Sequence, residues 1–93
     1  MRYRVTVHAP ASDGDDTERL RAAAAAKGLE VGELRTEDAP DGAQVFHLES
    51  EIEALSAYDA RDVSGLKLFA EVFDQAGLTV ERHTIRIAAE RAT

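Results

Sequence analysis

The chain has 93 residues, 18 Asp and Glu against 11 Lys and Arg for a formal charge of −7, and neither Cys nor Trp. A chain this short buries only about two thirds of the surface it exposes when unfolded, so one domain over residues 1–93 is expected. The lack of Cys excludes a disulfide scaffold, a thiolate zinc site, a Cys nucleophile and an iron–sulfur cluster. At 44% hydrophobic and 31% charged residues, the composition is that of a folded globule rather than a disordered segment. No apolar run nears the ~20 residues that span a bilayer, and the N-terminal alternation is unlike a signal peptide. A cytoplasmic location is therefore expected, with no membrane partner. The acidity works against direct nucleic-acid binding, in which a basic footprint supplies most of the affinity. Lys27 and Lys67 are the only lysines, and Arg, Ala, Gly and Asp abound. Their GC-rich codons suit a GC-rich genome or one of its phages, and a salt-adapted cell would give the same acidity.

In chain order, Tyr3, Val5 and Val7 alternate with Arg4, Thr6 and His8, the period of two that marks a strand buried on one face. Pro10 ends it. A loop over Ser12–Thr17 leads into a helix predicted for Thr17–Lys27, with Asp15 and Glu18 at capping-box spacing. That helix holds five consecutive alanines and one large apolar residue, Leu20, so its thin stripe suits close packing on a sheet. Gly28 is its expected terminus. The apolar phase shifts between Val31 and Leu34, which predicts a second strand bulged at Gly32. A turn is expected at Glu37–Gly42, then a third strand over Ala43–Ser50.

Glu51–Ala76 reads as helix interrupted at Asp59–Asp62, with Asp62 as N-cap of the main segment. There Leu66, Phe69, Ala70 and Phe73 stand at i, i+3, i+4 and i+7. Gly77 stops the helix, and a last strand is predicted for Leu78–Ala89 with Ile85 and Ile87 inward. The order strand, helix, strand, strand, helix, strand carries an internal echo: Lys27-Gly28-Leu29-Glu30-Val31 and Ala76-Gly77-Leu78-Thr79-Val80 both stop a helix at Gly and continue Leu-x-Val. Two split βαβ units would leave such a mark. The arrangement resembles the ferredoxin-like α+β fold, which implies a four-stranded antiparallel sheet in order 4-1-3-2 with both helices on one face.

The other face would then be open, presenting Arg4, Thr6 and His8 from the first strand, His47 and Glu49 from the third, and Arg82 and Arg86 from the fourth. Arg4, Arg82 and Arg86 would gather as a cationic stripe, solvated and paired with acidic neighbours or offered to an anion. RNA-recognition domains share this strand order but stack bases on sheet aromatics, whereas Tyr3 and Phe46 fall on the inward phase here. His8, His47 and His83 lack ligand spacing. His8 and His47 are expected at separate ends of a strand pair, and His83 half-buried in phase with Ile85, so no metal or cofactor is expected. Asp13-Gly14-Asp15-Asp16 lacks the rest of a calcium loop, no Ser sits in a G-x-S-x-G elbow, and no phosphate-binding glycine loop occurs.

With no catalytic constellation, the expectation is a non-catalytic protein-binding regulator or inhibitor, plausible for a phage gene acting in a host cytoplasm. Its acidic contacts would be Asp13, Asp15 and Asp16 before the first helix and Glu49, Glu51, Glu53, Asp59 and Asp62 around the helical interruption. The alternatives are an anion-sensing module using the Arg cluster and an oligomeric enzyme with a cavity on the open face. A homodimer through the sheet face or an edge strand is compatible with all three.

Overall fold

A computed structural model describes residues 1–11 and 16–92. The elements run β1 (Arg2–Pro10), α1 (Asp16–Ala26), β2 (Val31–Asp38), β3 (Gln44–Glu53), a π turn (Asp59–Val63), α2 (Ser64–Gln75), a 3-10 turn (Arg82–Thr84) and β4 (Arg86–Arg91). The sheet order is β2-β3-β1-β4, with every pairing antiparallel. This is the ferredoxin-like arrangement.

Alternation decides which side is buried. Tyr3, Val5, Val7 and Ala9 of β1 and Phe46, Leu48 and Ile52 of β3 are buried with Ile87 of β4. Leu20, Ala23 and Ala24 of α1 join them in one core with Phe69, Val72 and Phe73 of α2. The rings of Phe46 and Phe73 lie 6.0 Å apart, centroid to centroid. Both helices thus cover one face, and Lys27 Nζ reaches Glu71 Oε2 at 3.0 Å between them.

The echoed Gly-Leu segments are two copies of one device. Leu29 N donates to Ala24 O and Gly28 N to Ala25 O, while Leu78 N donates to Phe73 O and Gly77 N to Asp74 O. Each is a Schellman closure, with its glycine at φ 79° where a side chain would be strained. The expected bulge is also present, as a register shift in the β2–β3 ladder between Val31 and Glu33.

Four boundaries differ from those the sequence predicts, the first being the second strand, which runs on to Asp38 through the start of the expected turn. The third strand runs on through Glu53, because β1 starts at Arg2 and its ladder needs Glu53 opposite. Ile52 therefore packs as a strand residue, and Leu55, read as its helical neighbour, is 86% exposed. The second helix begins not at an Asp62 cap but through the π turn, where Ser64 N donates to Asp59 O. A Cβ on Gly65 would stand 1.7 Å from Ala60 O, so only glycine fits there. Finally, β4 starts at Arg86 rather than Leu78. Pro10, which would face Thr84 in the continued register, has no N–H to extend the ladder, and Thr84 N instead donates to Glu81 O.

Candidate functional site on the open sheet face

Across the uncovered face the registers set side chains in rows. One row holds Arg35, His47, His8 and Arg86, the next Glu33, Glu49, Thr6 and Ala88, and a third Glu51, Arg4 and Glu90. Like and unlike charges interleave, so the cationic stripe does not form. Arg4 Nη1 bonds Glu90 Oε1 at 3.1 Å, and Arg86 Nη1 folds back to donate to His83 O. Arg82 is not on this face. It belongs to the 3-10 turn and shares a shallow depression with Glu71 and Asp74 of α2. His83, in the same turn, is exposed rather than half-buried.

The two remaining histidines do meet. Antiparallel pairing puts His8 directly opposite His47, and His8 Nε2 lies 2.9 Å from His47 Nδ1, the rings edge to face at 4.8 Å. The expected separation assumed that they stood at different ends of the overlap; the register decides otherwise. Glu37 closes the group from the edge strand, its Oε1 being 3.0 Å from His8 Nε2 and 3.6 Å from His47 Nδ1. On the far side of the His47 ring, Nε2 contacts Glu49 Oε2 at 2.8 Å. Arg35 binds Glu33 through Nε at 2.9 Å and Glu37 through Nη1 at 2.6 Å.

Those bonds to Arg35 hold the Glu37 carboxyl below the usual 4.5, helped by the nearby imidazoles. Arg35 likewise lowers Glu33, and the two carboxylates raise the guanidinium in return. His47 is the innermost member, its side chain 12% exposed. Arg35 and Glu37 lie beyond Leu34, the last residue that the apolar pattern assigns to the second strand, and Glu37 falls in the expected turn; Glu33 lies within the pattern, next to the bulge that shifts its phase. Their alternation with Leu34 and Thr36 was the available signal.

No protein-family model and no curated protein sequence matches this chain. Among solved structures, a formyltetrahydrofolate deformylase from Pseudomonas putida KT2440 is similar at TM-score 0.45 and 12% identity, over 99% of this chain and 29% of that one. An unknown protein from Galdieria sulphuraria is similar at TM-score 0.45 and 24% identity, over 99% of this chain and 49% of that one. The chain thus spans less than half the length of either protein, and likeness this distant carries no argument about activity.

The acidic residues read as partner contacts fare unequally. Asp13 and Asp15 lie outside the described residues. Asp16 is buried and bonded to Arg19, so it is no contact residue. Asp59 is occupied internally: it accepts from Leu55 N at 2.9 Å and from Ser64 Oγ at 2.6 Å, which hold its carboxyl below the usual 3.8. Glu51 pairs with Arg2 at 3.2 Å, Arg2 also reaches Glu53, and Asp62 pairs with Arg61 at 2.8 Å. These three keep outward carboxylates.

A second surface feature lies at the opposite end of β3. The exposed large apolar residues among those described are Met1, Leu55, Tyr58 and Val63. They lie at or soon after the end of β3 in the chain: Met1 and Ala54 exchange two backbone hydrogen bonds, and the other three follow within nine residues. Among the described residues, no helix is long and apolar enough to cross a membrane.

Proposed function

We propose that this chain is a non-catalytic binding domain, a regulator or inhibitor that engages another protein through the connection between β3 and α2. The carrying observation is that Leu55, Tyr58 and Val63 are all exposed on the connection that follows β3, where Met1 is bonded to Ala54, among the carboxylates of Glu53 and Asp62. Exposed apolar residues scattered singly need no explanation, whereas several on one connection, where the carboxylates of Glu51, Glu53, Asp59 and Asp62 outnumber the Met1 amine, Arg2 and Arg61, suit a partner. Its complement is an apolar pocket bordered by Lys and Arg. A second copy of this chain is a poor occupant, because at −7 each the two would set carboxylate against carboxylate.

The open face supports anion sensing less well, since Arg4, Arg35 and Arg86 are all engaged within the molecule. A shallow depression there, of about 260 Å³, is lined by Arg4, Glu30, Glu49 and Ser50, with carboxylates among its walls. A cytoplasmic setting fits the Cys-free composition.

The test is capture from a bacterial lysate followed by reconstitution with the purified captured protein. Binding should be lost in Leu55→Asp with Tyr58→Asp, weaken with added salt, and survive His8→Gln. Retention in the double variant, or sedimentation showing that those residues mediate a homodimer, overturns the reading.

A further inference from the structure

We propose that His8, His47 and Glu37 form a binding site for a divalent transition ion of the zinc class on the open face of the sheet. His8 Nε2, His47 Nδ1 and Glu37 Oε1 converge on one point, with separations of 2.9, 3.0 and 3.6 Å. A tetrahedral zinc ion with bonds of about 2.0–2.1 Å requires about 3.3 Å between ligand atoms. The triangle is therefore within a few tenths of an ångström of the required size before any ion enters. The three ligands come from adjacent strands, His8 on β1, His47 on β3 and Glu37 on β2.

The surrounding contacts are those that a metal site needs. Glu49 Oε2 accepts from His47 Nε2, which in the neutral ring leaves Nδ1 as a lone pair directed at the convergence point. Arg35 holds the other oxygen of Glu37, fixing the carboxylate's direction. Without an ion, the single Nε2 proton of His8 serves both His47 Nδ1 and Glu37 Oε1. With an ion, the neutral His8 ring carries its proton on Nδ1 instead, and three lone pairs meet the cation. The carboxylates of Glu33 and Glu49 add negative field, while Arg86 is turned to His83 O. Glu37 and His8 are about one third exposed, so the fourth position faces solvent and takes water or a ligand from outside.

Another grouping shares His47: Glu33, His47 Nε2 and Glu49 also lie close together. It is the weaker candidate, because Glu33 Oε2 stands 3.9 Å from His47 Nε2, farther than the ligand separation a tetrahedral ion requires. Two imidazoles also favour a borderline ion more than one imidazole and two carboxylates do.

The probe is Zn²⁺ in calorimetry, with Co²⁺ absorption reporting geometry. The wild-type protein should bind one Zn²⁺ with micromolar affinity, melt at higher temperature when loaded, and give the intense visible bands of four-coordinate Co²⁺. His8→Gln and Glu37→Gln should each weaken binding at least tenfold, and Glu49→Gln roughly tenfold, as removing a carboxylate that orients a metal-bound histidine does. His83→Gln should change nothing. Absence of Zn²⁺ binding at millimolar concentration overturns the proposal. So does binding that survives His8→Gln and is lost in Glu33→Gln, which would place the ion on the other side of His47. Circular dichroism of the exposed-site variants His8→Gln and Glu37→Gln separates lost ligands from lost fold.

Discussion

The two faces of this sheet are built from the same four strands and obey opposite rules. On the covered face the positions are apolar and interchangeable in kind, except for Ser50, whose hydroxyl donates to Glu30 O: Val5, Val7, Phe46 and Leu48 need only size and phase to find the helices. On the open face the positions are polar and individual. Moving one by two residues would send His8 away from His47, or Glu37 away from both. Packing is thus decided by pattern, whereas the His–Glu cluster is decided by register. The difference explains why one face dominates stability and the other carries candidate chemistry.

The sharpest way to break that contrast is to cut into the covered side. Phe73→Ala removes a ring that is 1% exposed and should cost about 3–5 kcal/mol in chemical denaturation. A loss no larger than that of a surface substitution would mean that the core is not centred there. Gly65→Ala should come next, at about 3 kcal/mol, because the new methyl meets Ala60 O. A much smaller loss would show that the π turn relaxes to an ordinary helical one.

The open face should respond more weakly and through pH. Glu33 and Glu37 are held below 4.5 in the folded chain by Arg35, so their contribution is present above that value and fades as pH falls through the lowered folded values. Arg35→Gln should therefore lower stability at neutral pH, with the gap to wild type closing in acid below the carboxylate range. Denaturant unfolding at pH 7 and pH 3 checks this, and a gap that persists unchanged at pH 3 contradicts the assignment. The smallest stability effect should come from the Leu55→Asp and Tyr58→Asp pair, within about 0.5 kcal/mol for each surface site, although partner binding is lost.

Much of the fold was readable from local rules. The Tyr3–Val7 alternation, the two Gly-Leu closures and the bulge at Gly32 are each short-range devices whose chemistry lies within a few residues. Apart from the π turn, whose Asp59–Ser64 bonds are local, the differences are cases in which a distant partner outweighed a local pattern. Ile52 and Leu55 have helical spacing, yet β1 drew Ile52 into the sheet. Leu78–Val80 has strand character, yet Pro10 gave the ladder no continuation toward it.

The candidate site was only half visible for the same reason. Alternation placed His8 and His47 on the open side, and the alternation of Glu33, Arg35 and Glu37 continues past Leu34, where the apolar pattern of the second strand stops. The sequence alone determined the class of fold, the face on which each strand residue lies and the chemistry that Cys would have supplied. Only the tertiary structure decided that His8 stands against His47 with Glu37 beside them, and that Arg82 leaves the sheet. Side-chain direction along a strand repeats every two residues and is a local property. Which residue of another strand lies opposite depends on where each ladder begins and ends, and that is settled by packing across a sequence separation of 39 residues.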